Sequence, residues 1–188
     1  SDVHTASIHL LDLINDVLDL SKVEAGEVRL NDETIILGEA IHSAIRLVEG
    51  RAATGRLQLN VEIPDQIARL RADPRLVRQV LLNLLTNAVK FTDAGGTITT
   101  RARQRDDGGI TMEVADTGVG IADEDIEGAL TPFTQVGEGV ADREEGTGLG
   151  LPLAKSLVEL HGGTLELHSA MGTGTVVMIN FPASRSVT

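Results

Sequence analysis

Three polar side chains share one face of a segment that otherwise has the pattern of an apolar helix. Asn83, Asn87 and Lys90 stand at i, i+4 and i+7, which at about 100° per residue places them within an arc of about 60°. Asparagine is a poor helix former, so two in one helix suggest a task beyond packing. Amide oxygens can face a hard cation such as Mg²⁺, and a lysine can contact phosphate. Alternatively, both amides are satisfied locally or face water.

A second polar segment, DTGVGI at residues 116–121, directly follows an apolar strand. An aspartate at a strand end can accept a hydrogen bond from an exocyclic amine. The two glycines let the backbone pass close to a flat ring. Taken alone, an Asp-x-Gly sequence is equally consistent with an ordinary turn.

A third segment, GTGLGL at residues 146–151, opens a predicted helix. Glycines before a helix expose backbone N–H groups, and the helix dipole adds partial positive charge, so phosphates can bind there. The spacing differs from that of a P-loop and of a dinucleotide fingerprint. The alternative is a glycine-rich surface loop. Between these two segments, the polar run 133–145 with Gly137 and Gly139 fits either a mobile flap over a ligand or an ordinary loop.

The elements that position these residues follow from hydrophobic periodicity and from turn signals. Asp73-Pro74 predicts the start of the asparagine-bearing helix, which runs to about Phe91. Strands are predicted at 56–63, 97–104, 110–115, 164–169 and 175–181, with further helices at 123–130 and 149–161. This mixture predicts an α/β (α+β) fold, a two-layer sandwich with a mixed, mostly antiparallel sheet packed on helices.

The first segment predicts a strongly apolar helix that ends near Gly26, with an acidic opposite face. Its stripe contains Ile8, Leu11, Ile14, Leu18 and Val23. We interpret it as a helix of a bundle or coiled coil whose partners lie outside the given sequence. The alternative is a core helix of the main domain.

Composition excludes several classes of function. A net charge of −12 argues against broad electrostatic binding to nucleic acid or to an anionic membrane. With no tryptophan or tyrosine and three phenylalanines, a base-stacking platform is not expected. Cysteine is absent, which excludes disulfides and thiolate metal sites. The longest apolar runs are too short to span a bilayer, and no signal peptide is visible, so a soluble domain is expected. Its expected location is the cytoplasm.

In chain order, the motifs resemble those of the catalytic domain of sensor histidine kinases, in the gyrase, Hsp90, histidine kinase and MutL superfamily. The series is RLVRQVLLNLLTNAVKFT, DTGVGI, TPFTQV, GTGLGL and GTGT. The resemblance covers about residues 31–183. Residues 1–30 resemble the second helix of the dimerisation and phosphoacceptor domain, and 184–188 would be a tail.

The resemblance implies a role for each matching residue. Asn87 would coordinate Mg²⁺ with assistance from Asn83, while Lys90 would contact phosphate. Phe91 would lie against the adenine of ATP, and Asp116 would accept a hydrogen bond from the adenine amino group. The remaining positions would shape the base pocket (Gly118, Gly120), anchor the flap (Phe133), hold the phosphates (Gly146, Thr147, Gly148, Leu149, Gly150) or lie near the base (Thr175). Gln135 departs from the pattern, because many members have an arginine there that reaches the γ-phosphate.

The family transfers the γ-phosphoryl group of ATP to a histidine, and a response regulator aspartate then receives it. The chain's histidines lie outside the family's acceptor motif: His4, His9, His42, His161 and His168. We therefore expect Mg²⁺-ATP binding without self-phosphorylation, the acceptor lying in a segment not given. The resemblance also implies a homodimer through the bundle helix, with any membrane anchor upstream of this sequence.

Two other functions are possible for a nucleotide site of this kind. ATPases of the same superfamily hydrolyse ATP with a glutamate where Asn83 stands, and an amide cannot take a proton from water. An inactive docking module would have been supported by loss of Asn87, Asp116 or the glycines, all of which are present.

Overall fold

The computed structural model describes residues 2–135 and 147–187, so Gly146 and most of the predicted flap lie outside it. In chain order the elements are α1 (Asp2–Glu24), β1 (Glu33–Ile35), α2 (Leu37–Thr54), β2 (Gln58–Glu62), β3 (Arg69–Ala72), α3 (Pro74–Phe91), β4 (Thr97–Gln104), β5 (Ile110–Asp116), α4 (Ile126–Ala129), α5 (Gly150–Leu160), β6 (Thr164–Ala170), β7 (Gly174–Phe181) and β8 (Ser186–Val187). Short 3₁₀ turns precede α4 and β8.

The main sheet has five strands in the order β2-β4-β5-β7-β6. β2 runs parallel to β4, and the other three pairings are antiparallel. One row across four strands, Thr100, Val114, Val177 and Leu167, is buried beneath the helices. α3 packs between α2 and α5 on this face. The predicted sandwich with a mixed, mostly antiparallel sheet is confirmed.

Asp73 caps the site-bearing helix α3, as the sequence predicted. Its Oδ1 accepts a hydrogen bond from the N–H of Arg75 (3.0 Å), which satisfies a donor of the first helical turn. The side chain is fully buried, and Oδ2 accepts from the N–H of Asn31 and from the Arg75 guanidinium. Burial acts to raise the pKa of Asp73, but these hydrogen bonds and the Arg75 charge outweigh it, so the pKa is lowered. A charged carboxylate therefore fixes where α3 begins.

Two parts of the fold were not predicted. α2 carries a buried stripe at helical spacing that includes Leu37, Ile41, Ile45 and Val48. The second sheet, in the order β1-β3-β8, consists of strands of two to four residues, too short for periodicity to reveal. Residues 186–187, assigned to the tail, form β8 and pair with β3.

α1 combines features of both interpretations of the first segment. Leu20 is buried, and Leu13, Val17 and Val23 pack against the core. Asp19 accepts a hydrogen bond from the Gln79 amide on α3 (3.0 Å). Apolar side chains nevertheless remain exposed along it, namely Leu10, Leu11, Ile14 and Leu18. In the described residues, no helix has the length and apolar character needed to cross a membrane.

Candidate nucleotide-binding site

The two asparagines of α3 lie beside the start of α5, as the hypothesis of a phosphate and metal site requires. Nδ2 of Asn83 donates to the carbonyl oxygen of Gly150 (3.1 Å). A methyl group at Gly150 would lie 3.7 Å from Nδ2 and 3.9 Å from Oδ1 of Asn87. Asn87 is half-buried and has no hydrogen-bond partner among the described residues. Two amide oxygens, one from each asparagine, are therefore left for a ligand.

The N-terminus of α5 is the part of this site that could bind an anion. Leu149 precedes the helix and is fully buried, and its N–H donates to Oγ1 of Thr147 (3.2 Å). The first N–H groups of the helix have no carbonyl partner within it, and Pro152 has no N–H. Donors and the positive end of the dipole thus face the same place as Asn83 and Asn87.

Asp116 stands at the end of β5 with one carboxylate oxygen engaged and the other open. Oδ1 accepts hydrogen bonds from the N–H of Gly118 (2.8 Å) and of Thr175 (3.3 Å). Among the described residues, Oδ2 has no donor. Burial raises the pKa of the Asp116 carboxyl, while the two hydrogen bonds act in the opposite direction. The second oxygen is therefore available to a donor of a ligand, such as an exocyclic amine.

Glycine is required where the loop after β5 crosses α3 and β6. A Cβ at Gly118 would overlap the carbonyl oxygen of Phe91, and one at Gly120 would overlap the carbonyl of Ala170. Gly120 also has φ +72°, a conformation that glycine adopts without steric cost. The N–H of Val119 donates to the Phe91 carbonyl (3.1 Å). The loop is thus tied to the C-terminal end of α3.

Lys90 and Phe91 complete that end of the helix. The Lys90 ammonium lies 5.3 Å from the centre of the Phe91 ring, within the range of a cation–π contact. Both side chains are half-buried. From Asn83 to Phe91, α3 advances by about 12 Å. α3 therefore links two parts of the site: the asparagines beside the start of α5, and the loop that follows Asp116.

A serine that the sequence interpretation did not select also belongs to the site. Oγ of Ser169 lies 2.8 Å from Oγ1 of Thr175, and it accepts from the N–H of Ile121 (2.8 Å). Its position three residues before the GTGT segment, on a strand that ends at the site, is the signal that could have identified it.

Phe133 contacts the loop that precedes α5 through its backbone. Its N–H donates to the carbonyl of Gly148 (3.2 Å), whereas its ring is 64% exposed. Its φ of +63° is unusual for a residue with a side chain. Gln135 is also exposed. The remainder of the predicted flap lies outside the described residues.

A metal held by acidic or histidine side chains finds no support here. Within the described ranges, no three His, Asp or Glu side chains cluster as metal ligands. Any cation would be held by the amide oxygens of Asn83 and Asn87 together with the phosphates of a ligand, the arrangement typical of Mg²⁺.

Comparison with known proteins points to one family. Residues 72–185 match the family described as histidine kinase-, DNA gyrase B-, and HSP90-like ATPase. The chain is similar to the "Non-motile and phage-resistance protein" of Caulobacter vibrioides, with 47% identity over 98% of this chain and 22% of the relative. Its identity to the histidine protein kinase DivJ of the same organism is 43%, over 96% of this chain and 30% of the relative.

A solved structure supports the fold. Full-length ShkA in complex with AMPPNP superimposes with a TM-score of 0.83 at 29% identity, covering 96% of this chain and 36% of that one. Of the two Caulobacter relatives, the chain spans only about a fifth to a third of the length.

Proposed function

Because the chain belongs to the family of histidine kinase-, DNA gyrase B- and HSP90-like ATPases, we propose that it binds Mg²⁺-ATP and donates the γ-phosphoryl group to a histidine of the intact protein. A response regulator would then receive the phosphoryl group in two-component signalling. The observation that carries the proposal is the meeting of Asn83 and Asn87 with the N-terminus of α5 at Gly150. Relatives such as DivJ are histidine protein kinases by name.

The amides at this end fit Mg²⁺. Asn83 uses its Nδ2 on the Gly150 carbonyl, which directs Oδ1 away from that carbonyl, and Asn87 has no partner among the described residues. When bound, Mg²⁺ supplies charge neutralisation for the phosphates. Lys90 adds a cation, and the N–H groups of α5 add oriented donors. Phosphoryl transfer depends mainly on such positioning, so these residues suffice to hold the donor.

Asp116 supports adenine as the base. Its open Oδ2 can accept from the 6-amino group, and the absence of a side chain at Gly118 lets the loop backbone pack directly on the Phe91 carbonyl beside it. Burial of the carboxyl favours a ligand that supplies a donor, because an unpaired buried oxygen is costly.

Transfer to a protein histidine is favoured over hydrolysis by the residue at position 83. The superfamily's ATPases place a glutamate there as base toward water, whereas the Asn83 amide has no basic site for a proton. The exposed leucines of α1 would join a homodimeric bundle in the intact protein, which we place in the cytoplasm. No nucleic acid partner and no direct membrane contact by this domain are proposed.

Calorimetric titration of the chain with ATP in the presence of Mg²⁺ tests the proposal. We expect saturable binding that Asn87→Ala weakens about tenfold or more, because a metal ligand is removed. Asn60→Ala is the matched control, since Asn60 is exposed on β2. Absence of binding by the unchanged chain, or equal effects of the two substitutions, would refute the proposal.

A further inference from the structure

The hydroxyl of Ser169 has all its hydrogen-bonding capacity in use. Its Oγ donates to the carbonyl of Gly174 (2.9 Å), accepts from the N–H of Ile121 (2.8 Å) and lies 2.8 Å from Oγ1 of Thr175. A serine hydroxyl has one hydrogen and two lone pairs. Because the Gly174 carbonyl can only accept, the single hydrogen of Ser169 goes there. The contact with Thr175 must then use a lone pair of Ser169.

It follows that Thr175 gives its own hydroxyl hydrogen to Ser169. After that bond is made, Oγ1 of Thr175 has only lone pairs to offer. In the described part of the chain, Ser169 is the one group bonded to this oxygen. The Ser169 side chain thus sets the polarity that Thr175 presents to anything bound beside it.

The position of Thr175 makes this polarity relevant to a ligand. Asp116, Thr175 and Ser169 occupy directly opposed positions on three adjacent strands, so their side chains lie on the same face of the sheet. Ile98, opposite Asp116 on β4, is fully buried, which identifies this as the helix-covered face. The N–H of Thr175 also donates to Oδ1 of Asp116 (3.3 Å). Thr175 and Asp116 therefore line one site, and both offer acceptors there.

We propose that Ser169 is a positioning residue that makes the site select purines with a 6-amino group over purines with a 6-oxo group. The inference rests on the proposed function, in which this end of the site holds the base. A 6-amino group has two hydrogens, one for Asp116 and one for Thr175. A 6-oxo group is an acceptor and would face lone pairs on both sides, which leaves buried polar atoms unpaired.

The test compares dissociation constants for ATP and for inosine triphosphate, which have the same sugar and phosphates. Ser169→Ala frees the hydroxyl of Thr175 to rotate and to donate to a 6-oxo group. We expect the preference for ATP to fall about tenfold in this variant, the equivalent of one hydrogen bond regained. Ser169→Thr, which keeps a hydroxyl, should restore the preference.

Thr111→Val is the matched control, because it removes a cross-strand hydroxyl bond between β5 and β7, to Asn180, away from this face. It should leave the ratio of the two constants unchanged. If Ser169→Ala does not fold, Thr175→Val gives the same readout, since it removes the oriented oxygen itself. If the ratio of the two dissociation constants stays the same in the folded variants, even with equal weakening of both nucleotides, the proposed role of Ser169 is overturned. The proposed function is not affected by that result. Failure of the unchanged chain to bind ATP would overturn the proposed function and this inference together.

Discussion

His161→Leu tests the buried hydrogen bonds by which His161, at the end of α5, contacts the start of α3. The imidazole lies at the end of α5 and is 2% exposed. Its Nε2 accepts from the N–H of Asp73 (3.1 Å), so Nδ1 must carry the hydrogen and donate to the carbonyl of Leu157 (2.7 Å). The Phe181 ring packs edge-on at 6.1 Å. Leucine would fill a similar volume but make neither hydrogen bond.

The expected loss is about 2–4 kcal/mol of the free energy of unfolding at pH 7.5. One buried donor, the N–H of Asp73, would be left without a partner at a cost of about 1–3 kcal/mol, and one hydrogen bond worth about 1 kcal/mol would be lost at Leu157. Such a loss is a large part of a domain's typical stability of about 5–15 kcal/mol.

The buried imidazole of His161 also makes the free energy of unfolding depend on pH. Burial lowers the pKa of His161 below its ordinary value, the nearby Arg185 acts in the same direction, and the hydrogen bond to Leu157 and the charges of Asp32 and Asp73 oppose it. The unfolded chain therefore binds the proton at higher pH than the folded chain. The contribution of neutral His161 to the free energy of unfolding is present in full above about pH 6.5. It decreases as the pH falls below that value, by up to about 1.4 kcal/mol at pH 5.5.

Urea unfolding of the unchanged chain and of His161→Leu at pH 7.5 and pH 5.5 measures both effects. The difference between the two proteins should shrink at pH 5.5, because only the unchanged chain loses the histidine contribution. His168→Gln is the control, since His168 is 62% exposed and should leave stability within about 0.5 kcal/mol. A His161→Leu protein as stable as the unchanged chain, or a difference independent of pH, would refute the reasoning.

Three further predictions concern the site and α1. Gly118→Ala should weaken ATP binding at least about tenfold, because the added methyl overlaps the Phe91 carbonyl; calorimetry checks this, and undiminished affinity would contradict it. Chelation of Mg²⁺ should weaken ATP binding to the unchanged chain but have little further effect on Asn87→Ala; equal weakening of both proteins in the same titration would count against Asn87 as the ligand. Leu10→Gln with Leu18→Gln should raise the monomer fraction of the intact protein in analytical ultracentrifugation, because both leucines are about half exposed on α1; an unchanged monomer fraction would exclude this face from the dimer.

The placement of the main site residues could be predicted from local spacing. The positions of Asn83 and Asn87 follow from helical periodicity alone, and Asp73-Pro74 identified the start of their helix. The family resemblance, which the comparison confirms, assigned Asp116 and Gly150 to one site. The structure accordingly brings the asparagines to Gly150 and the Asp116 loop to Phe91.

The remaining features depend on contacts between distant parts of the chain. Ser169 and Thr175 meet only because β6 and β7 pair in one register, and no local pattern encodes that register. His161, whose Nε2 accepts the hydrogen bond from the N–H of Asp73, is 88 residues away along the chain. The short strands β1, β3 and β8 carry too few residues for periodicity to be recognised. The helix α2 is different, because its buried stripe was visible in the sequence.

The most direct test of the central claim is transfer of labelled γ-phosphate from ATP to a histidine in the intact protein. We predict incorporation of phosphate that is labile in acid and stable in base, reduced about a hundredfold or more by Asn87→Ala and unaffected by Asn60→Ala. No such incorporation by the intact protein, or equal incorporation by Asn87→Ala, would contradict it.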